Sequence, residues 1–328
     1  MSIAQLPRTY SEEAVTTNIS WRRIDGLWFK DGTLILVAGT SLFRVYGGLL
    51  AEQSPVFHDM LDFPQPADGE VIDGCPVVHL ADDEDDLRCF LKALFDIEFF
   101  EPAPAKTTFE ILAGIIRLST KYQVDVLRRR ALSHFASIVS FTAAEYRSNS
   151  SESWDIPKQE WIRVVVLARE MSIDWILPIA LYRVAGNCTP TELLDGIDVN
   201  GGVHAELAHQ DKIACLEQSL VIRTTASAEI LDFLWNPLSI PGCSDKAECT
   251  RRRIQARKLV EDARKNRIFP VKIWPTSNWA VFSVCKSCMG VMKADHQQAL
   301  ETFWDGLPQR FGLPDWDALK QMKESDLA

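Results

Sequence analysis

No stretch of this chain approaches the ~20 uninterrupted apolar residues of a bilayer-spanning helix, so the sequence predicts no transmembrane segment. The first residues, Met1-Ser-Ile-Ala-Gln-Leu-Pro-Arg8, carry neither the basic nor the apolar part of a secretory signal. The last, Glu324-Ser-Asp-Leu-Ala328, match no lipidation or retention signal. The expected compartment is therefore the cytoplasm or nucleus. Also missing are Gly-x-Ser-x-Gly, His-Glu-x-x-His, a Walker-type phosphate loop and Gly-x-Gly-x-x-Gly after a strand. Histidine is scarce, six residues and scattered, so the chain is read as non-enzymatic. No repeat of ~20–50 residues marks a solenoid. Basic residues are the minority: 35 Lys+Arg face 45 Asp+Glu, a net charge of -10 that argues against a general polyanion binder.

What is present is ordinary globular material. Hydrophobic residues make up 47% and charged residues 24% of 328, which excludes disorder throughout and suggests two domains. Residues 1–26 lack a sustained period and read as a loose leader. From residue 27 the pattern sharpens. Asp31-Gly32 is a turn, Thr33–Val37 and Ser41–Val45 read as the two strands of a hairpin, and Ala38-Gly-Thr40 joins them. Leu49, Leu50, Val56, Phe57, Met60 and Leu61 follow at helical spacing, interrupted at Ser54-Pro55, an N-cap and first-turn pair that predicts two short helices. Val77–Leu80 is a third strand. Asp82–Asp86 gathers acids where a helix start favours them, and Leu87, Phe90, Leu91, Leu94 and Phe95 form one buried stripe behind it. The acid run is read as a solvated helix start and His79 as a strand residue. Two further helices follow, over Phe109–Ile116 and Val124–Ile138.

Trp28-Phe-Lys-Asp-Gly-Thr-Leu-Ile-Leu-Val37, Phe43-Arg-Val-Tyr46, Leu49-Leu-Ala-Glu-Gln-Ser-Pro-Val-Phe57 and Val77-Val-His-Leu80 resemble a BTB/POZ domain in order and spacing, and Lys121-Tyr-Gln-Val-Asp-Val-Leu127 looks like that family's closing helical pair. Leu177-Pro-Ile-Ala-Leu-Tyr182 and Phe311-Gly-Leu-Pro-Asp-Trp316 look like parts of an architecture common in mushroom-forming fungi, a BTB domain followed by a helical region. The resemblance implies an α+β fold over 27–140, a linker over 141–153 and a mainly helical domain over 154–322. It further implies an interaction module that forms a homodimer and serves as an adaptor, for a cullin scaffold of a ubiquitin ligase or in transcriptional regulation. Leu42, Leu49, Leu50, Val56 and Phe57 are the dimer-interface candidates, and Asp31 and Arg44 the candidates for a charged pocket. Tyr46 stands where the family usually has His, and Gly47-Gly48 opens a helix at a cost of roughly 1 kcal/mol relative to alanine.

Past the Ser/Asn-rich stretch 148–153 the pattern is mostly helical. Trp161, Val164, Val165, Ala168 and Met171 form a stripe, and Asp211–Thr224 predicts a helix with Ile213, Leu216 and Leu220 inward. Trp274, Trp279, Trp304 and Trp316 read as core. Eight cysteines in a reducing compartment should be thiols or metal ligands. Cys285-Lys-Ser-Cys288 and, upstream, Cys243-Ser-Asp-Lys-Ala-Glu-Cys249 form two near pairs. If they meet, four thiolates can hold one structural zinc ion at ~2.3 Å. The alternatives are unliganded thiols and a redox pair, the last without its usual βαβ context. Between the pairs, Arg251–Arg267 carries eight basic residues, which invites a DNA-associated reading in which zinc steadies a basic helix. The plainer reading docks that helix through Ile254, Leu259, Val260 and Ala263 with its charge in water, and makes nucleic acid an unexpected partner. An enzyme with an unrecognised C-terminal site is the remaining alternative.

Overall fold

A computed structural model describes residues 21–63, 69–148, 156–157, 160–199, 202–235, 240–265 and 269–328. The chain divides into two compact units, Met1–Lys92 and Ala93–Ala328. The fold is mixed α+β, with its larger sheet in the first unit and a mainly helical second unit.

The first unit contains β1 (Arg22–Trp28), β2 (Leu34–Ala38), β3 (Ser41–Val45), α1 (Gly47–Gln53), α2 (Pro55–Asp62), β4 (Val71–Ile72), β5 (Cys75–His79) and the start of α3 (Glu84–Phe95). The sheet order is β1-β3-β2-β5-β4. β2 and β3 form the expected hairpin, in antiparallel register from Leu34↔Val45 to Ala38↔Ser41. Gly39 closes its turn at φ 54°, a left-handed conformation that favours glycine. All five residues of β2 are buried, as a central strand covered on both faces requires. Ile35, Val37, Leu42 and Cys75 make one apolar cluster, flanked by Trp28, Ile72 and Val77. Gly47 earns its place by close approach: a Cβ there would lie 3.3 Å from Leu34 Cβ. Ser54 separates α1 from α2, its hydroxyl accepting the Phe57 N–H at 3.2 Å, with Pro55 in the first turn. Glu84 ties the start of α3 to the hairpin turn, accepting from Ser41 Oγ at 2.7 Å, and that hydrogen bond holds its carboxyl below the usual range.

One strand lies where the sequence suggested a leader. β1 begins at Arg22 and runs parallel to β3. Only Ile24 and Leu27 of its seven residues are buried, so its three charged residues mask an edge strand's apolar signal. Residues 1–20 of the expected leader lie outside the described residues.

The second unit takes the end of α3 and continues through α4 (Phe109–Lys121), α5 (Asp125–Ala136), α6 (Ala143–Ser148), α7 (Glu160–Glu170), α8 (Leu177–Asn187) and α9 (Pro190–Asp195). A small hairpin follows, β6 (Ile197–Val199) and β7 (Val203–Ala205), then α10 (His209–Arg223), α11 (Thr225–Ile230), α12 (Asp232–Trp235) and α13 (Lys246–Lys265). The last helices are α14 (Thr276–Val281), α15 (Lys286–Asp305), α16 (Leu307–Arg310) and α17 (Trp316–Leu327). The expected division at 141–153 differs from this partition. α4 and α5 pack within the second unit, where Arg128 of α5 meets Asp326 of α17 at 3.1 Å, and α6 occupies part of the expected linker. Residues 149–153 of that linker lie outside the described residues. Asp326 also accepts the Trp175 indole N–H at 2.8 Å, so α17 continues past residue 322 to close the unit.

α10 buries a face other than the one its apolar residues suggest. Ile213 and Leu220 are exposed, whereas Asp211, Cys215 and Ile222 face inward. Arg169 accounts for this: its guanidinium donates to both Asp211 carboxylate oxygens, at 3.1 and 2.8 Å. Two of the four late tryptophans lie in the core as expected, while Trp279 and Trp316 are only half-buried and pack at its margin. Trp274 and Trp304 are wholly buried, Trp304 stacks on Trp316 with centroids 5.8 Å apart, and Trp279 packs on Phe233 at 5.2 Å.

Candidate metal centre

Two helix starts bring the four cysteines together. Gly242, at φ 75°, turns the chain before α13 and leaves Cys243 just ahead of that helix. Asp245 begins the helix: its carboxylate accepts the Glu248 N–H at 2.9 Å and its carbonyl the Cys249 N–H at 3.0 Å. Cys249 therefore sits in the opening turn. Cys285 is the N-cap of α15 and Cys288 follows within its first turn. Each helix thus supplies one sulfur just before its start and one just inside it.

The four sulfurs lie within 4.8 Å of one another. Cys285 Sγ is 3.9 Å from Cys243 Sγ, and the Cys285 N–H donates to Cys249 Sγ at 3.3 Å. A tetrahedral ion with ~2.3 Å bonds needs sulfurs about 3.8 Å apart, so the set fits one such ion with small side-chain adjustments. Cys249 and Cys288 are buried and Cys243 and Cys285 half-buried. The amides of Cys288 and Ser244 pull the Cys285 thiol down to about 6, while burial pushes the Cys249 and Cys288 thiols up. Two helix N-termini directed at one cluster favour thiolates there.

The buried face of α13 is Cys249, Arg253, Ala256 and Val260, spaced 4, 3 and 4 residues apart. This corrects the expected docking face: Ile254 and Leu259 are exposed, Val260 is buried, and the Ala263 side chain lies outside the described residues. Arg253, only 5% exposed, lies close enough to Cys288 for their charges to interact. It is a part of the site that the sequence reading missed. The available signal was its position one helical turn after Cys249. Three more basic residues of the stretch are engaged within the chain, and Lys258 is exposed. Arg251 and Arg252 pair with Glu248 at 2.5 and 2.6 Å, and Arg257 donates to the Leu234 carbonyl at 2.9 Å. The side chains of Arg264 and Lys265, and the whole of Arg267, lie outside the described residues.

The other candidates do not form one site. Leu42, Leu50 and Phe57 are buried in the first unit's own core, which removes them from any interface between folded copies; Leu49 is 47% exposed and Val56 half-buried. Asp31 and Arg44 do not pair. Asp31 accepts the Tyr46 hydroxyl at 2.8 Å, which raises that tyrosine's pKa, and Arg44 donates to the Gly32 carbonyl at 2.9 Å. Tyr46 thus captures the aspartate. His79 is exposed beside Glu70 at 2.7 Å, and Asp83 accepts the Asp85 and Asp86 N–H groups as a helix start should.

No helix among the described residues is long and apolar enough to cross a membrane. No family model, curated protein or solved structure matches the chain.

Proposed function

We propose that the chain is a protein-interaction module in two parts: a BTB/POZ-type first unit that pairs with a second copy of itself, and a helical unit clamped by one structural zinc ion at Cys243, Cys249, Cys285 and Cys288. The observation that carries the reading is the convergence of four sulfurs within 4.8 Å. Four thiolates saturate a tetrahedral ion and leave no position for substrate, so such a site supplies folding energy rather than catalysis. The self-pairing part is supported by the resemblance over the hairpin, α1, α2 and β5, and by Leu49 and Val56 at the surface of those helices. A two-fold contact needs one self-complementary patch, and these two side chains supply its apolar centre. A role as a cullin adaptor or transcriptional regulator follows from the same resemblance, in a reducing cytoplasm or nucleus. The engagement of Arg251, Arg252 and Arg257 within the chain speaks against the DNA-associated reading.

Elemental analysis and light scattering of the purified full chain test both parts. One zinc per chain and a particle of twice 37.0 kDa are expected, with Leu49→Asp giving the single-chain mass while keeping its zinc. A zinc-free protein with all four thiols freely alkylated would sink the metal part. A monomer at micromolar concentration, zinc bound, would sink the self-pairing part.

A further inference from the structure

Apart from the cysteine cluster, the second unit holds two cations that meet no counter-charge among the described residues. Arg183 on α8 places its Cζ over three rings, Tyr146 at 5.2 Å, Phe269 at 5.5 Å and Trp161 at 5.7 Å. Lys272, in the short 3-10 turn Pro270–Lys272, puts its Nζ 5.0 Å from the centroid of the same Tyr146 ring. Neither cation has an ion-pair partner among the described residues, and Arg183 has only the neutral Tyr146 hydroxyl drawing on its charge. Burial and the nearby Arg183 hold the Lys272 pKa below its ordinary value.

The surrounding polar atoms are donors as well. Tyr146 is 3% exposed and Tyr182 fully buried, their rings 5.8 Å apart. Both hydroxyls and Arg183 Nε are shielded from solvent, and among the described residues none of the three finds an acceptor for its proton. Guanidinium and ammonium groups only donate, and a tyrosine hydroxyl donates readily. Leaving such groups unmet costs on the order of 1–3 kcal/mol each. The chain has 45 carboxylates and a net charge of -10, yet among the described residues none pairs with either cation. What would satisfy the group is a compact anion with several acceptor oxygens. The ring walls would strengthen its attraction to both cations by excluding water. Arg183 and Lys272 are only half-buried, so an anion can reach them from solvent.

We propose that Arg183, Lys272, Tyr146 and Tyr182 form a binding site for a small phosphate anion, free orthophosphate or a phosphate monoester. Arginine's planar fork matches two phosphate oxygens and lysine adds a point charge. The hydroxyls then donate to oxygens that remain.

The test is thermal unfolding and titration calorimetry of the full chain with orthophosphate and with phenyl phosphate, against chloride at equal ionic strength. A saturable rise in unfolding temperature is expected with at least one of the two; stronger binding of orthophosphate marks the free anion as ligand, and stronger binding of phenyl phosphate marks the monoester. Lys272→Gln separates binding from structure. In chloride it should leave the midpoint unchanged or raise it, because a like-charge contact is relieved. In phosphate it should weaken binding about tenfold, equivalent to ~1.4 kcal/mol. Tyr146→Phe, which keeps the ring, should weaken binding with little change in the chloride midpoint. The proposal fails if neither anion gives a saturable response beyond chloride, or if Lys272→Gln responds to phosphate as the parent does.

Discussion

The Cys285 amide donates to the Cys249 sulfur at 3.3 Å, joining the starts of α15 and α13 across 36 positions. A backbone donor at that sulfur favours its charged form and fixes where α15 begins. The cysteines are thus positioned by main chain as well as by side-chain packing.

Replacement of one sulfur should therefore separate metal loss from simple core damage. Cys288→Ser is expected to lose the zinc and about 3–5 kcal/mol of stability, in the range that loss of a structural metal brings. Cys215→Ser, at an equally buried thiol outside the cluster, should keep its full zinc content. Metal analysis and denaturant unfolding of the two variants decide it; equal zinc in both would defeat the expectation.

In metal-free protein the thiols should react in a fixed order. The Cys285 pKa is lowered to about 6, and burial raises that of Cys288. The stability Cys285 contributes is present above the unfolded thiol's pKa and lost as pH falls through about 6. At neutral pH Cys285 is then a thiolate and Cys288 a buried thiol. Timed alkylation with peptide mapping should label Cys285 first and Cys288 last. Equal rates at the two positions would contradict the assignment.

His296 predicts a separate acid sensitivity. It is 3% exposed, its ring lies 5.6 Å from both Phe233 and Trp279, and burial, with Arg147 adding, lowers its pKa to about 4. The unfolded chain, with a histidine near 6.5, binds the proton first, so stability falls as pH drops from about 6.5 towards about 4. The loss is on the order of 3 kcal/mol. His296→Leu should flatten that part of the stability curve at matched zinc loading. An unchanged slope between the two proteins would remove His296 as the cause.

Asp211 should be intolerant of truncation. Its carboxylate is buried and bound on both oxygens by Arg169. Asp211→Ala removes both hydrogen bonds and leaves the half-exposed guanidinium with only the longer contact to Asp174 at 3.9 Å, which should cost about 1–3 kcal/mol. Truncation of exposed Ile213, one position beyond Lys212 on the same helix, should stay within about 0.5 kcal/mol. Urea midpoints of the two variants provide the check.

Periodicity was a reliable guide where burial follows hydrophobicity. The hairpin, the Ser54-Pro55 break and the stripe of α3 are all legible that way, and the cysteine cluster was legible from two near pairs. It failed where charge is drawn inside. Arg253 faces the cysteines and Asp211 faces Arg169, so α13 and α10 turn polar residues inward and leave Ile254, Ile213 and Leu220 in water. β1 was hidden for a related reason: a parallel edge strand needs few apolar residues, and this one spends only Ile24 and Leu27 on the core. Tyr146 lies on α6 and the cations over its ring come from α8 and a 3-10 turn, elements distant in sequence that no local pattern joins.

The separation of the two cysteine pairs also shapes the denatured chain. Cys243 and Cys285, 42 positions apart, become the ends of a closed loop whenever an ion holds both. Such a loop forfeits freedom in the unfolded ensemble much as a covalent cross-link does, by an amount that grows only slowly with its length. Unlike a covalent link, it can be undone by a chelator without any reductant. A zinc-loaded chain that keeps its ion through unfolding would expose less new surface to denaturant, and its urea dependence would be shallower than that of the metal-free form. The cluster would then act as a removable hinge pin, setting how far the basic helix and its neighbours can drift before they must return.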